Sequence, residues 1–342
     1  MLLALVSVSA VGWFGWSLVS QEKMVEVQRA RERLDQAADR IASNFRRSLD
    51  AEGQLRGLTL SVSKDSISVS PPGRMLYYSY PAPEPEAPSL VFREGETYEF
   101  RQGQPRLAIR FYERLGQARD RAVSAGALLR LARVLRKIGR KEQSLAAYQR
   151  LAAIEGVSVA GAPAELIARE EICVLQGRKE DAERLLTDLR EARWQLRRGQ
   201  FEFYWDDVSK LAGRNEAPDA GRVALAETAA ALASGANDLK PIIHAAGVAI
   251  LLVWRGPPDR RTVLLAPVNS VLQQIVARED VYCVALDGDG RILAGRSDGL
   301  SRAAVRSAAE FHIPWTLAVT ARSAAAGFSG WGEVGIGLQR GR

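Results

Sequence analysis

Two cysteines and two histidines in 342 residues are a short supply of the side chains that most often ligate metals. Cys173 and Cys283 have no metal-ligand spacing and stand in different expected units, so they read as buried free thiols. No Walker-type glycine loop, no GxSxG and no HExxH occurs, which removes three common catalytic frames. Asp206 and Asp207 are neighbours on an expected helix, where adjacent carboxylates point to different sides, so a paired acid–base role is not expected. Asp287-Gly288-Asp289-Gly290 lacks the later glutamate and ligand alternation of an EF-hand and reads as a hairpin turn. The net charge is +7, yet the arginines of 29–40 and 178–198 are interleaved with Glu and Asp, as on solvated helix faces, with no aromatic-flanked basic stripe. No enzyme activity, metal, cofactor or nucleic-acid partner is expected from these residues.

What the chain does contain is a repeat. In 125–153, Leu128, Leu131, Ala132 and Leu135 recur at helical spacing before Gly139, and Ser144, Tyr148 and Leu151 continue the pattern on a second helix. Upstream, Gly103 is followed by Ala108, Tyr112 and Leu115 at the same offsets; downstream, Gly177 is followed by Ala182, Leu186 and Leu189. Small residues where two helices cross and bulky ones on either side resemble a tetratricopeptide (TPR) hairpin, although the tryptophan and proline of that pattern are absent. One hairpin cannot bury its apolar face alone, so a row of them over 94–235 is expected, with a small insertion around 156–163.

The rest of the chain is arranged around that row. Residues 1–19 carry no charged side chain and suffice to cross a bilayer, with Trp13 and Trp16 as interfacial anchors, so 1–20 is expected to be an uncleaved transmembrane helix. A polar helix over 21–50 follows, with Val25, Leu34, Ala38, Ile41 and Phe45 as a thin apolar stripe that pairs with a second copy or packs on the chain's own C-terminal unit. Within 51–93, residues 58–69 alternate as a strand pair turning near Lys64-Asp65, and the proline-rich 70–89 reads as an extended connector. Residues 201–211 are dense in aromatics: a helix capping the row would bury them, whereas a peptide groove, with Phe203, Tyr204 and Trp205 as its contacts, would expose them.

From 236 to 320 the texture becomes an α+β domain with an antiparallel sheet. Strands are expected at 244–254, 262–268, 281–286, 291–294 and 315–320, with short helices at 271–277 and 303–311. VYCVALDGDGRILAG followed by HIPWTLAVT resembles the last strands of a PAS-like or Cache domain. With the anchor, the leading helix and the TPR-like hairpins, the chain resembles the extracytoplasmic sensor region of bacterial transmembrane sensor histidine kinases. That resemblance implies a single-pass protein of the bacterial inner membrane, its folded part in the periplasm, sensing a small molecule or a partner. The basic residues after the anchor (Lys23, Arg29, Arg31, Arg33) argue instead for the cytoplasm.

The chain departs from the kinase pattern in 321–342, which is glycine-rich and irregular, and neither His244 nor His312 reads as a phosphoacceptor. A ligand pocket on the sheet face would draw on Trp254, Arg255, Tyr282 and Asp287. The alternative function is a membrane-tethered TPR scaffold holding a protein partner, with the C-terminal domain purely structural.

Overall fold

The computed structural model describes residues 2–50, 57–63, 66–71, 75–234, 240–257, 260–297, 299–308 and 315–322, with the backbone alone for 2–23, 50, 62–63 and 66–67. Among them are ten α-helices, a five-stranded and a four-stranded antiparallel sheet, and one two-stranded ribbon. Helix α1 (Leu2–Asp50) opens the chain. The side chains of the expected anchor, the turn at Lys64-Asp65 and the tail beyond Arg322 lie outside the described residues. Among the described residues no helix is long and apolar enough to cross a membrane.

The helical part is a row of antiparallel hairpins. Helices α2 (Arg93–Glu96) and α3 (Pro105–Leu115), α4 (Arg121–Lys137) and α5 (Lys141–Ala152), and α6 (Ala164–Gln176) and α7 (Lys179–Arg190) follow in order; α8 (Arg198–Leu211) then packs on α7, and α9 (Ala220–Ala233) leaves the row to lie against the first sheet. Gly139 and Gly177, which end α4 and α6, have φ of 81° and 66°, a conformation that a side chain would strain. The repeated positions are core: Ala108, Tyr112, Ser144, Tyr148, Leu151, Ala182, Leu186 and Leu189 are all buried. Ser144 shows why a small residue stands there, since its buried Oγ donates to Ala132 O at 2.8 Å across the crossing of α4 and α5. The insertion is a tight ribbon of β3 (Ser158–Val159) and β4 (Ala162–Pro163).

The connector is less loose than its prolines suggest. Met75, Leu76, Tyr77 and Tyr78 are buried in the core of the row. An extended backbone cannot satisfy its own polar groups, and this one borrows partners from the loops ahead of α8 and α6. Tyr78 N donates to Leu196 O at 2.8 Å and Ala82 N to Gln195 Oε1 at 2.9 Å, while Ser158 N donates to Pro85 O at 3.0 Å.

Strands β1 (Leu58–Ser63) and β2 (Ser66–Ser70) join β5 (Ile242–Ala245), β6 (Val248–Arg255) and β7 (Arg260–Pro267) in the order β2-β1-β7-β6-β5. The strand pair expected within the linker therefore supplies two strands of a five-stranded sheet completed more than a hundred residues later. Period-two alternation divides the sheet's faces. Leu58, Leu60, Ile250, Leu252, Val263 and Leu265 share one core with the helices, and Ala249, Leu251 and Ala266 face a second core. A strand buried on both faces explains the unbroken apolar run in β6. The single strand expected over 244–254 is instead a hairpin, turned by Ala246 and Gly247 with φ of 46° and 74°.

The second core lies between that face, α10 (Val268–Val276), α1 and the sheet β9-β8-β11-β10. This sheet comprises β8 (Val281–Asp287), β9 (Ile292–Ala294), β10 (Ala304–Ser307) and β11 (Trp315–Ala321). The helix expected over 303–311 is not formed at its start, where β10 pairs with β11 in the register Ala304↔Val319. Pairing with a buried neighbour outweighs the helical preference of alanine. Both sheets place their strands alike: the second in chain order lies at one edge, next to the first, which pairs with the last, which pairs with the one before it. The thin stripe of α1 is resolved toward the chain's own C-terminal part, since Ala37, Ala38, Ile41 and Phe45 are buried against the second sheet.

Candidate functional site

The four residues expected to line one pocket do not meet. Trp254 is half-buried on the helix-facing side of β6, and Arg255, next along the strand, points to α1 and donates to Leu49 O at 3.0 Å. Tyr282 and Asp287 belong to the other sheet. Tyr282 is half-buried with the Arg322 guanidinium 5.5 Å from its ring. Asp287 Oδ1 accepts from Asp289 N at 2.9 Å and from Arg291 N at 2.8 Å, the bonds that hold the tight β8–β9 turn.

The three aromatics of α8 divide as well. Phe203 is 61% exposed, whereas Tyr204 and Trp205 are buried, and Trp205 Nε1 donates to Glu216 O at 2.9 Å. Helix α8 thus closes the row with its aromatics, and they do not line one open groove.

Charges gather on α4, α6 and α8. Arg130, Arg133 and Arg136 recur every three residues along α4, Glu170 and Glu171 stand on α6, and Asp207 stands on α8. Arg136 pairs with Glu171. Glu170 faces Asp207, a carboxyl against a carboxyl. Burial, then the Glu171 charge, then the hydrogen bond to Asp207 raise the Glu170 carboxyl to about 7. Burial lifts the Tyr204 hydroxyl to about 12 and raises that of Tyr148. The thiols are raised by burial too, Cys173 to about 11 and Cys283 to about 12, which keeps both out of thiolate chemistry.

Among the described residues, three clefts adjoin the helices. One of about 660 Å³ lies between the N-termini of α9 and α10 and the ends of β1 and β6, with Asp219, Arg222, Asn269 and Gln273 at its rim. One of about 560 Å³ lies beside Tyr77, Arg197, Arg198 and Glu227. The third, about 390 Å³, is bounded by the connector, α4, the β3–β4 ribbon and a π-helical turn, Thr97–Arg101. Its floor is Arg130, whose guanidinium carbon is 3.9 Å from the centre of the Phe92 ring. Arg130 Nε donates to Glu96 Oε1 at 2.9 Å and Nη1 to Gly126 O at 3.1 Å. Phe92 reaches this place because position 126 has no side chain: a Cβ there would lie 2.4 Å from Phe92 Cζ.

Sequence reasoning missed Glu99, Arg130 and Arg133. The arginines at i and i+3 on one face of α4 were a signal that could have found them. Among the described residues no group of His, Cys, Asp and Glu is placed to hold a metal ion. No family model, no curated protein and no solved structure matches this chain.

Proposed function

We propose that the chain is a membrane-anchored sensory module, the signal-input part of a two-component-type system, which senses a small molecule or a partner. One observation carries this reading: the helix leading from the expected anchor lies along the last described strand. The Phe45 and Trp315 rings meet edge to face with centroids 5.1 Å apart. Arg306, on β10, donates from Nε to Asp39 Oδ1 at 2.6 Å and from Nη2 to Asp35 Oδ1 at 3.1 Å. Arg40 reaches Glu279 at 3.0 Å. Trp315 begins β11 beside Phe45, and the neighbouring strand touches Asp35 and Asp39, so β11 runs back toward the N-terminal part of α1. A change in either sheet would reach α1 and the end of β11 together.

Gly139 and Gly177 at positive φ and the buried Ser144 support TPR-like hairpins. The shared strand order supports PAS/Cache-like modules, two of them in place of the one expected over 236–320, with the helical row inserted between the second and third strands of the first. On α1, residues 24–33 are exposed, including Met24 and Val27, which supports a homodimer paired along this helix. The scaffold reading, with a protein partner on the helices, keeps Phe203 as its exposed aromatic.

The module is placed in the bacterial inner membrane with its folded part in the periplasm; the cytoplasm is the alternative. Alkaline phosphatase and green fluorescent protein fused in turn after Arg322 test both statements. The phosphatase fusion is expected to be active in the membrane fraction and the fluorescent one dark. The reverse puts the folded part in the cytoplasm, and recovery of both fusions from the soluble fraction defeats the reading.

A further inference from the structure

We propose that the cavity between the π-helical turn and α4 binds a small zwitterion, an α-amino acid with an apolar side chain, its carboxylate held by Arg133 and its ammonium by Glu99. Of the charged side chains around this cavity, Arg130 and Glu96 are committed to each other. Glu86 is committed to the ribbon, accepting from Ala160 N at 2.8 Å and Gly161 N at 3.3 Å. Arg133 and Glu99 remain, one of each sign. Among the described residues neither has a salt-bridge partner, and they do not pair with each other.

Two opposite charges lining one cavity without touching fit a ligand that carries the complementary pair. Arg offers a planar fork of donors that matches a carboxylate. Glu99 is half-buried, and desolvation raises its carboxyl above the usual range, opposed first by Lys137, so a cationic partner has more to offer it than water does.

The walls fit the rest of such a molecule. Phe92, Leu129 and Val159 supply apolar surface, and the cavity, about 390 Å³, falls within the roughly 300–1,000 Å³ usual for small-molecule sites. The backbone supports the same assignment independently. A π-helical turn is rare, occurs often at functional sites, and here presents Glu99 and Phe100 to α4, with Lys137 Nζ 5.6 Å from the Phe100 ring. The proposal goes beyond the sensory reading and does not depend on it, because the measurement below reads the cavity alone while the fusions read topology alone.

Calorimetric titration of the full chain in detergent with L-leucine and L-phenylalanine tests the site. Both are expected to bind. Leucinamide, which lacks the carboxylate, and N-acetylleucine, which lacks the ammonium, are each expected to bind about ten-fold or more weaker, as is leucine to the Arg133→Ala and Glu99→Gln chains. Arg133→Lys should recover part of the loss. Absence of heat from both amino acids at millimolar concentration overturns the proposal, as does leucinamide binding as well as leucine. The derivatives are compared on the unaltered chain, so the result stands even if a variant folds poorly.

Discussion

Replacing Glu170 by Gln isolates the acid pair between α6 and α8. Glu170 faces Asp207, with Glu171 beside it, Arg136 and Arg133 across on α4, and the hydroxyls of Tyr148 and Tyr204 nearby. Its carboxyl lies at about 7 in the folded chain against an ordinary 4.5. Between those two values the folded chain holds a proton that the unfolded chain has lost, so stability falls as pH rises through the window. At about 1.4 kcal/mol per pH unit the ceiling is about 3 kcal/mol, and partial exposure to water lowers the working figure to about 1–2 kcal/mol. Gln keeps the hydrogen bond to Asp207 and cannot ionise. The Glu170→Gln chain should therefore exceed the parent by about 1–2 kcal/mol near pH 8, and the gap should shrink steadily toward pH 5. Urea unfolding followed by circular dichroism at several pH values, with the slope against urea unchanged, measures it. A gap that is the same across the range, or a Gln chain less stable near pH 8, would refute the reasoning.

Other substitutions probe the packing. Phe45→Ala removes a fully buried ring wedged between α1 and Trp315 and should cost about 3–5 kcal/mol of unfolding free energy, read by denaturant titration. Gly126→Ala places a Cβ 2.4 Å from Phe92 Cζ and should cost about 1–3 kcal/mol, with a second change, Phe92→Leu, recovering part of the loss in melting temperature. Ser144→Ala leaves Ala132 O without its buried donor and should cost about 1 kcal/mol, whereas Ser144→Leu, which cannot fit the crossing, should cost more by the same assay. Arg306→Ala removes the fork to Asp35 and Asp39 and should speed amide hydrogen exchange in α1 around those residues while leaving α4–α7 unchanged. Equal exchange in both chains would show that apolar packing alone holds α1 to the second sheet.

The hairpins were the most readable part, because local chemistry specifies them. A glycine that must take positive φ, a small residue at a crossing and a bulky one a turn later all act within a few residues of each other, and Gly139, Ser144 and Tyr148 do so in the structure. The strand pair over 58–70 was also visible as alternation, but not its partner, since β7 lies some two hundred residues away and a period-two pattern carries no address. Ala246 hid a turn, because alanine rarely accepts positive φ. The candidate site was read less well. Trp254, Arg255, Tyr282 and Asp287 sit near one another in sequence texture, yet alternation and a change of sheet send them to different surfaces.

The chain's apolar spacing, glycines and turn residues determined by themselves that helical hairpins and antiparallel strands share the chain, since each of those signals acts over a few neighbouring residues. Tertiary structure alone decided that two similarly ordered sheets stack on opposite sides of a shared layer, that α1 seals the second of them, and that Arg133 and Glu99 face one cavity without pairing. Those outcomes depend on which distant apolar faces bury each other, and burial is decided by the whole folded chain at once.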